Sequence, residues 1–264
     1  MRTALAIARK ELEIYLTTPI AWIALMVVLL FTALFFNGAL DAYRDYSLRA
    51  VAAQSPDALE GLNFTDLVMF PVLGSAGVLV MIVAPFLTMR LLAEEKRQRT
   101  FELLLTAPVR PHQIVLGKYL SGVAMLGGAL LLVALFPALL SVIGRGAAGG
   151  GAVEWRTVLT GLLGLLLLAG MATSIGLFFS AITESVVLAA LLAEIVLLAL
   201  WLVGVLAAYA QGPLKDIAAA LSATEHLRGF IQGKIELRDV VYYLSFAALG
   251  LYLTDRAVEA HRWA

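Results

Sequence analysis

Residues 67–89 read LVMFPVLGSAGVLVMIVAPFLTM, an uncharged stretch that lies between Asp66 and Arg90. A helix needs about 20 mainly apolar residues to cross the hydrocarbon core of a bilayer. Polar and apolar residues do not alternate along this stretch, and backbone amides inside lipid must be satisfied within the segment itself. The stretch therefore predicts a transmembrane helix and not a strand of a barrel.

Five other apolar stretches predict further spans, so the fold class expected is an all-α integral membrane protein with six transmembrane helices. The last stretch is short, and its span requires Asp239 and Asp255 to lie in the headgroup region. Tyr242, Tyr243 and Tyr252 favour that interfacial position. We expect one domain, residues 1–264, with spans at residues 20–36, 67–89, 119–144, 157–183, 185–210 and 240–254.

The composition supports the same class and excludes several functions. Hydrophobic residues make up 61% of the chain and charged residues 14%, whereas a soluble domain usually has about a quarter of its residues charged. The net charge is zero and no basic patch is interleaved with aromatic residues, so we expect no nucleic acid partner. The chain has no cysteine, which excludes disulfides and thiolate ligands.

No catalytic motif is present in the sequence. It contains no G-x-x-x-x-G-K-[ST] phosphate loop, no H-E-x-x-H and no G-x-S-x-G. The three histidines, His112, His226 and His261, lie in separate segments, and we expect them to be solvated. The chain is therefore expected to be no enzyme, with no catalytic residue, no bound cofactor and no metal site.

Lys and Arg residues in the loops predict the orientation of the spans. Eleven of them flank the side that holds the termini and the second loop, and eight lie on the other side. The excess marks the cytoplasmic side, because cytoplasmic loops of membrane proteins are rich in Lys and Arg. Both termini are therefore expected in the cytoplasm.

Two segments outside the spans have helical spacing. Residues 1–18 predict a helix that lies in the cytoplasmic interface and ends at Thr18-Pro19, with Arg9 and Glu13 spaced as an i, i+4 pair. Its apolar face is expected to hold Leu5, Ala8, Leu12, Tyr15 and Leu16. Residues 211–239 have apolar residues three and four apart, which fits short helices dipping into the outer leaflet or an ordinary helix resting on the headgroups.

Glu194 is the one charged residue inside a predicted span. A carboxylate there costs several kcal/mol unless it is neutralised or paired. One interpretation is a polar point on a translocation pathway. The other is a protonated or hydrogen-bonded Glu that pins the fifth span to a neighbouring helix, and the lack of a second charged residue within the spans favours it.

The loop between the second and third spans, residues 90–118, is the most informative part of the sequence. A dense run of charges precedes Thr100, a plausible N-cap, and a short helical stretch ends at Pro108. Phe101, Leu104 and Leu105 form an apolar ridge on that stretch, with Glu102 in its first turn. Such a helix at the membrane face predicts docking of a cytosolic partner or, as the alternative, contact with lipid headgroups.

This loop resembles that of the ABC-2 family of ABC transporter permeases. The family pattern is an acidic pair, basic residues, Thr-x-Glu-Leu-Leu, a Pro and a Gly-Lys. Arg99 departs from it, since many relatives have Gly before the Thr. The matching residues are Glu94-Glu95, Lys96-Arg97, Thr100, Glu102, Leu103-Leu104, Pro108 and Gly117-Lys118.

The C-terminal part is similar to the gliding-motility-associated group of these permeases. The similarity lies in SATEHLRGFIQG at residues 222–233, DVVYYLS at residues 239–245 and a terminal Arg262-Trp263. The name of the group does not fix a substrate, because many of its members come from organisms that do not glide.

The resemblance implies a half-transporter in the inner membrane of a bacterium. Its partners would be a second permease, either another copy or a homologue, and a separate cytosolic ABC ATPase that binds ATP. An accessory membrane or periplasmic subunit is a further possible partner. Residues 94–107 would be the coupling helix region and residues 211–239 a re-entrant pair of outer helices. The residues expected at the ATPase are Glu94, Glu95, Arg99, Thr100, Phe101, Glu102, Leu104, Leu105 and Pro108.

The family consists mostly of exporters. An ATPase-independent secondary transporter and a non-transporting membrane scaffold are the alternatives. Inverted repeats and charge networks at the membrane midplane would favour the secondary transporter.

Overall fold

A computed structural model describes residues 2–53, 65–101, 109–143 and 153–262, and the regular structure of these residues is helical throughout. Eleven α-helices and one π-helical turn at Thr65–Met69 account for it. In chain order the α-helices are α1 (Arg2–Thr17), α2 (Pro19–Ala52), α3 (Phe70–Thr88), α4 (Arg90–Arg97), α5 (Pro111–Val133), α6 (Leu135–Ile143), α7 (Trp155–Ile182), α8 (Val186–Tyr209), α9 (Pro213–Leu221), α10 (Ala223–Ile231) and α11 (Leu237–Arg262).

Five helical segments are long and apolar enough to cross a membrane, which confirms the prediction of an all-α membrane protein. They are Pro19–Ala52, Thr65–Arg97, Pro111–Ser141, Trp155–Ile182 and Val186–Tyr209. Helix α11 contains the sixth predicted span and has 26 residues, but it is not among the five. Its ends are charged, so the sixth span stays a prediction.

Helix α2 continues well past the predicted end of the first span at Phe36. It has 34 residues, which corresponds to about 51 Å at 1.5 Å per residue. Several charged residues follow Phe36 and end the apolar stretch. Residues 37–52 nevertheless include no proline and only one glycine, Gly38. Loss of hydrophobicity therefore does not end the helix, because Ala, Leu and Arg are strong helix formers.

The third long segment is interrupted once. Helix α5 ends at Val133 and α6 begins at Leu135. Pro137 has no N–H to donate to the Val133 carbonyl, and its ring crowds the preceding turn. The single predicted span of residues 119–144 is therefore two helices joined at Ala134.

Helix α7 is the central element of the bundle. It contacts α3, α4, α5, α8, α10 and α11. In its most apolar window 67% of the residues are buried, compared with 22% for α8 and 28% for α2. The outer helices therefore expose most of their apolar surface, whereas α7 uses its surface for contacts inside the chain.

Small residues on α7 allow these neighbours to approach closely. A Cβ atom built at Gly164 would lie 2.5 Å from the Cβ of Phe230 in α10, and one at Gly170 would lie 2.8 Å from the Tyr119 hydroxyl in α5. Gly176 packs against Thr88 of α3 in the same way. Membrane helices rely on such close backbone packing, because lipid supplies no hydrophobic force that would hold them together.

Helices α9 and α10 form a hairpin at one end of the bundle, within the segment where the sequence predicts short helices. The junction residue Ser222 packs against Gly204, which lies about 8 Å along α8 from its end at Tyr209. Helix α10 then returns along α7, and Gly233 lies against Thr157 near the start of α7. The hairpin enters and leaves the bundle at the same end, as a re-entrant pair would. Its depth in a bilayer stays a prediction.

Helix α1 occurs where the sequence predicts it, and its buried face matches the predicted one in part, since Ala8 and Tyr15 are buried. Arg9 and Glu13 form the expected i, i+4 ion pair at 3.1 Å. Leu5 and Leu16, predicted on the packed face, are 62% and 52% exposed. The buried face consists of Ala4, Ala8, Glu11 and Tyr15. Small residues at Ala4 and Ala8 let α1 lie directly on α5, which places a carboxylate, Glu11, inside the protein.

Replacing Gly164 by alanine is expected to destabilise the chain. The new methyl group would overlap Phe230, and overpacking of this kind costs about 1–3 kcal/mol. The measurement is the thermal unfolding midpoint of the purified protein in detergent.

The matched control is Gly74→Ala in α3, where a Cβ would meet no atom within 4 Å. Both changes raise helix propensity equally, so only the contact differs. An equal midpoint for the two variants would contradict the close contact between α7 and α10.

Candidate functional site

Five of the nine residues predicted at the ATPase contact lie in the described part of the chain. Glu94 and Glu95 are in α4, Arg99 and Thr100 form the turn after it, and Phe101 is the last described residue before the gap at 102–108. The others, Glu102, Leu104, Leu105 and Pro108, lie outside the described residues, as does most of the predicted helix at 101–106. The described residues, 94–101, form the base of this segment.

Helix α4 ends in a Schellman motif in which Arg99 takes the left-handed position. The Thr100 amide donates to the Glu95 carbonyl at 3.0 Å, and the Arg99 amide donates to the Lys96 carbonyl at 3.0 Å. Arg99 has φ 57°, a conformation that glycine adopts at no steric cost. Arg99 therefore occupies a backbone geometry that would suit glycine, at a larger energetic cost.

A buried lysine joins three helices beside this turn. The Lys118 ammonium, in α5, donates to Glu11 of α1 and to Glu95 of α4, both at 2.8 Å. The Lys118 side chain is 2% exposed and that of Glu11 is 11% exposed. A buried ammonium between two carboxylates is stable only if all three groups remain together, since removing one leaves an uncompensated charge. The predicted motif residues Glu95 and Lys118 are thus direct partners.

Helix α1 is also attached to α3. The Tyr15 hydroxyl donates to the Leu87 carbonyl at 2.8 Å. Burial raises the pKa of the Tyr15 hydroxyl above its ordinary range, and the Glu11 carboxylate raises it further. The hydroxyl therefore keeps its proton and remains a donor.

Glu94 has a different environment from Glu95. Its carboxylate accepts from Arg97 and from Gln98 within the same turn, both at 2.7 Å. Arg97, Gln98, Arg99 and Thr100 are all exposed. Glu94 thus stabilises an exposed polar turn, whereas Glu95 faces the buried lysine.

The other side of α4 is attached to the end of α7. The Ser180 hydroxyl accepts from the amides of Leu92 and Ala93, both at 3.0 Å, and donates to the Met89 carbonyl at 2.9 Å. The Lys96 ammonium donates to the Ala181 carbonyl. The Ser180 bonds satisfy backbone groups at the junction of α3 and α4, and the Lys96 bond satisfies a carbonyl near the end of α7.

Lys96 also reaches the C-terminal helix. Its ammonium lies 3.1 Å from His261 Nε2, while His261 Nδ1 lies 3.1 Å from the Ala257 carbonyl. Nδ1 therefore carries the ring proton, and Nε2 accepts from the lysine. Phe101 is 5% exposed and packs edge-on against His261, with the rings 6.0 Å apart. Phe101 thus faces the C-terminal helix of its own chain and not the exterior.

The structure shows a second polar cluster, at the other end of the bundle, that sequence reasoning missed. His226 is 3% exposed, and its Nδ1 lies 2.7 Å from an Asp239 oxygen. Its Nε2 lies 3.1 Å from the Ala220 carbonyl, and Tyr242 stacks on the ring with the centroids 4.0 Å apart. The expectation of a solvated His226 is wrong, because the hairpin folds back over α11 and buries it.

Glu194 is partly buried on α8. Its Oε2 atom is buried without a hydrogen-bond partner among the described residues. Leu197, which lies one turn along α8 on the same face, is fully buried. This atom supplies no bond that pins α8 to another helix, so the pathway and pinning interpretations both stay open.

Replacing Lys118 by methionine is expected to lower stability by about 3–5 kcal/mol, because the carboxylates of Glu11 and Glu95 would lose their buried partner. The thermal midpoint in detergent measures the loss. The triple variant K118M/E11Q/E95Q removes the charges as well and should recover much of the loss. A triple variant no more stable than K118M would show that the ion cluster is not the cause.

Replacing Arg99 by glycine is expected to raise the free energy of unfolding by about 1 kcal/mol, because glycine adopts φ 57° without steric cost. Arg99→Ala is the control, since it removes the same charge and keeps the penalty. Thermal midpoints that rank Ala at or above Gly would contradict the left-handed turn.

The comparisons with known proteins bear on the whole chain. A search of curated proteins found no match. The family described as "ABC-2 family transporter protein" matches residues 5–257, which include all the described helices except part of α1 and the end of α11. The match is consistent with the five membrane-length helices and with the polar segment that joins the second of these helices to the third. The chain therefore belongs to the ABC-2 transporter family, as a multi-pass membrane protein.

Proposed function

We propose that this chain is the membrane-spanning permease subunit of an ATP-driven exporter, coupled to a separate ATPase through residues 94–108. Family membership supports the permease role. The observation that carries the coupling is the attachment of this segment to helices on both sides. Lys118 and Glu95 join it to α1 and α5, and Lys96 and Ser180 join it to α7 and α11.

This attachment favours coupling for a mechanical reason. A partner cannot move the turn Arg97–Thr100 without also moving α4 and the helices attached to it. Helix α4 is held by buried polar contacts, and breaking them costs free energy. The displacement is transferred to α7, which contacts six other helices. Binding that favours one position of the segment thereby favours one arrangement of the bundle, which is a two-state element biased by nucleotide on the partner.

The residues proposed at the ATPase fall into two groups. Arg99 and Thr100 are exposed and available for direct contact. Glu102, Leu104, Leu105 and Pro108 are proposed as the docking surface from the sequence pattern. Glu94, Glu95 and Phe101 contact their own chain, so their proposed role is to position the segment.

The remaining parts of the proposal come from the family. ATP would be bound by the partner, and a second permease, identical or homologous, would complete the pathway. The chain would lie in a bacterial inner membrane with both termini in the cytoplasm, and an accessory membrane or periplasmic subunit can join the complex. The similarity of residues 222–245 to the gliding-motility-associated group remains part of this proposal.

A charge reversal at Glu102 is expected to release the ATPase. The tagged chain is purified from its own organism's membranes, and an ATPase with a G-x-x-x-x-G-K-[ST] motif is quantified by mass spectrometry. A reversed charge at an interface costs about 2–5 kcal/mol, so Glu102→Arg should lower the recovered ATPase by at least about tenfold.

The control is Glu236→Arg, the same change in an exposed segment at the hairpin end of the bundle. It should leave recovery unchanged. Recovery of the unaltered chain with no ATPase would contradict the proposal and favour a secondary transporter or a scaffold. Equal recovery of the ATPase with the two variants would show that Glu102 is not part of the contact.

A further inference from the structure

A polar cavity lies where α1 meets the neighbouring ends of α2, α3 and α4. Its volume is about 370 Å³, within the range of about 300–1,000 Å³ that is usual for ligand sites. Tyr15 and Thr18 line one side, and Phe86 and Leu87 line another. The charged residues of the wall are three cations and three carboxylates, Lys10, Arg90, Lys118, Glu11, Glu94 and Glu95.

An apolar cavity adjoins it between α2 and α3. Its volume is about 230 Å³, and it is lined entirely by apolar residues, among them Ala24 and Val27 of α2 and Ile82 of α3. Ile20 and Phe86 line both cavities. From Ile20 to Val27 the groove follows α2 for about 10 Å. One continuous site therefore changes from charged to apolar along the direction of a membrane-spanning helix.

The charges of the polar cavity are not all neutralised within the chain. Lys118 is held by Glu11 and Glu95. Lys10 is exposed and makes no ion pair with a described residue, and Arg90 lies 3.8 Å from Glu94 with 37% of its side chain exposed. Lys10 is thus available to an anionic group, and Arg90 is held only by a long contact to Glu94. On the other wall, the second oxygen of Glu95 has no hydrogen-bond partner among the described residues.

We propose that the two cavities together hold one phospholipid with a phosphate-plus-ammonium headgroup, as in phosphatidylethanolamine, and that an acyl chain fills the apolar groove. The phosphate lies by Lys10 and Arg90, and the ammonium lies by the carboxylates of Glu94 and Glu95. A headgroup with a phosphate alone would match only half of the wall, because the carboxylates would repel it. Charge pairing selects the headgroup, and van der Waals contact between the acyl chain and the side chains of the apolar groove holds the lipid in place.

Native mass spectrometry of the full chain in a mild detergent, with any ATPase that accompanies it, tests this. The protein is incubated with equal amounts of phosphatidylethanolamine, phosphatidylcholine and phosphatidylglycerol with identical acyl chains. We expect one phosphatidylethanolamine per chain, retained at least about threefold over the other two. Phosphatidylcholine has no N–H to donate, and phosphatidylglycerol has no cation, so each lacks one part of the match.

Two variants should each reduce the retained phosphatidylethanolamine at least about threefold. Val27→Trp fills the apolar groove, and Lys10→Gln removes a cation at an exposed position where folding is not at risk. Met26→Trp, on the residue next to Val27, and Arg9→Gln, on the residue next to Lys10, line neither cavity and should leave retention unchanged.

Equal retention of the three lipids, or preference for phosphatidylglycerol, would overturn the proposal. So would an equal loss in the variants and their controls, since that would place the lipid elsewhere on the protein. None of these outcomes depends on whether an ATPase is recovered, so the lipid site and the proposed function fail separately.

Discussion

The close approach of neighbouring helices to α7 is the constraint on which the rest of the structure depends. Lipid chains are as apolar as the side chains that face them, so burial alone does not hold membrane helices together. Contact between backbones does, and it requires small residues where helices meet. Gly164, Gly170 and Gly176 provide these contacts at successive levels of α7 to α10, α5 and α3. The three glycines are six residues apart, which is about 240° around the helix, so α7 sets the positions of three elements on three of its sides.

Polar contacts then fix the elements that the small residues bring together. At one end of α7, Ser180 and the Ala181 carbonyl hold α4, and Lys96 continues the connection to His261. At the other end, α10 packs on α7 and is tied to α11 through His226 and Asp239. Polar groups buried in this way are satisfied by specific partners, which gives each short helix a single position.

The sequence predicts the long helices well, because uncharged stretches of sufficient length have few alternatives in lipid. It predicts the Arg9–Glu13 pair because both partners lie on one helix. It does not predict the partners of Lys118, since Glu11 is 107 residues away and its burial depends on how α1 lies on α5. The spacing of Ala4, Ala8, Glu11 and Tyr15 was a usable signal for that face. The inward position of Phe101 likewise depends on α11, which no local pattern shows.

The length of α2 has a geometric consequence. The hydrocarbon core is about 30 Å thick, so an unbroken helix of about 51 Å leaves roughly 20 Å outside it, more than any side chain could extend. Residues near Ala52 are carried on a rigid arm with no hinge between them and the apolar half. A tilt of about 10° at the base would move the tip by about 9 Å, so this arm amplifies small rotations into displacements the size of a helix diameter.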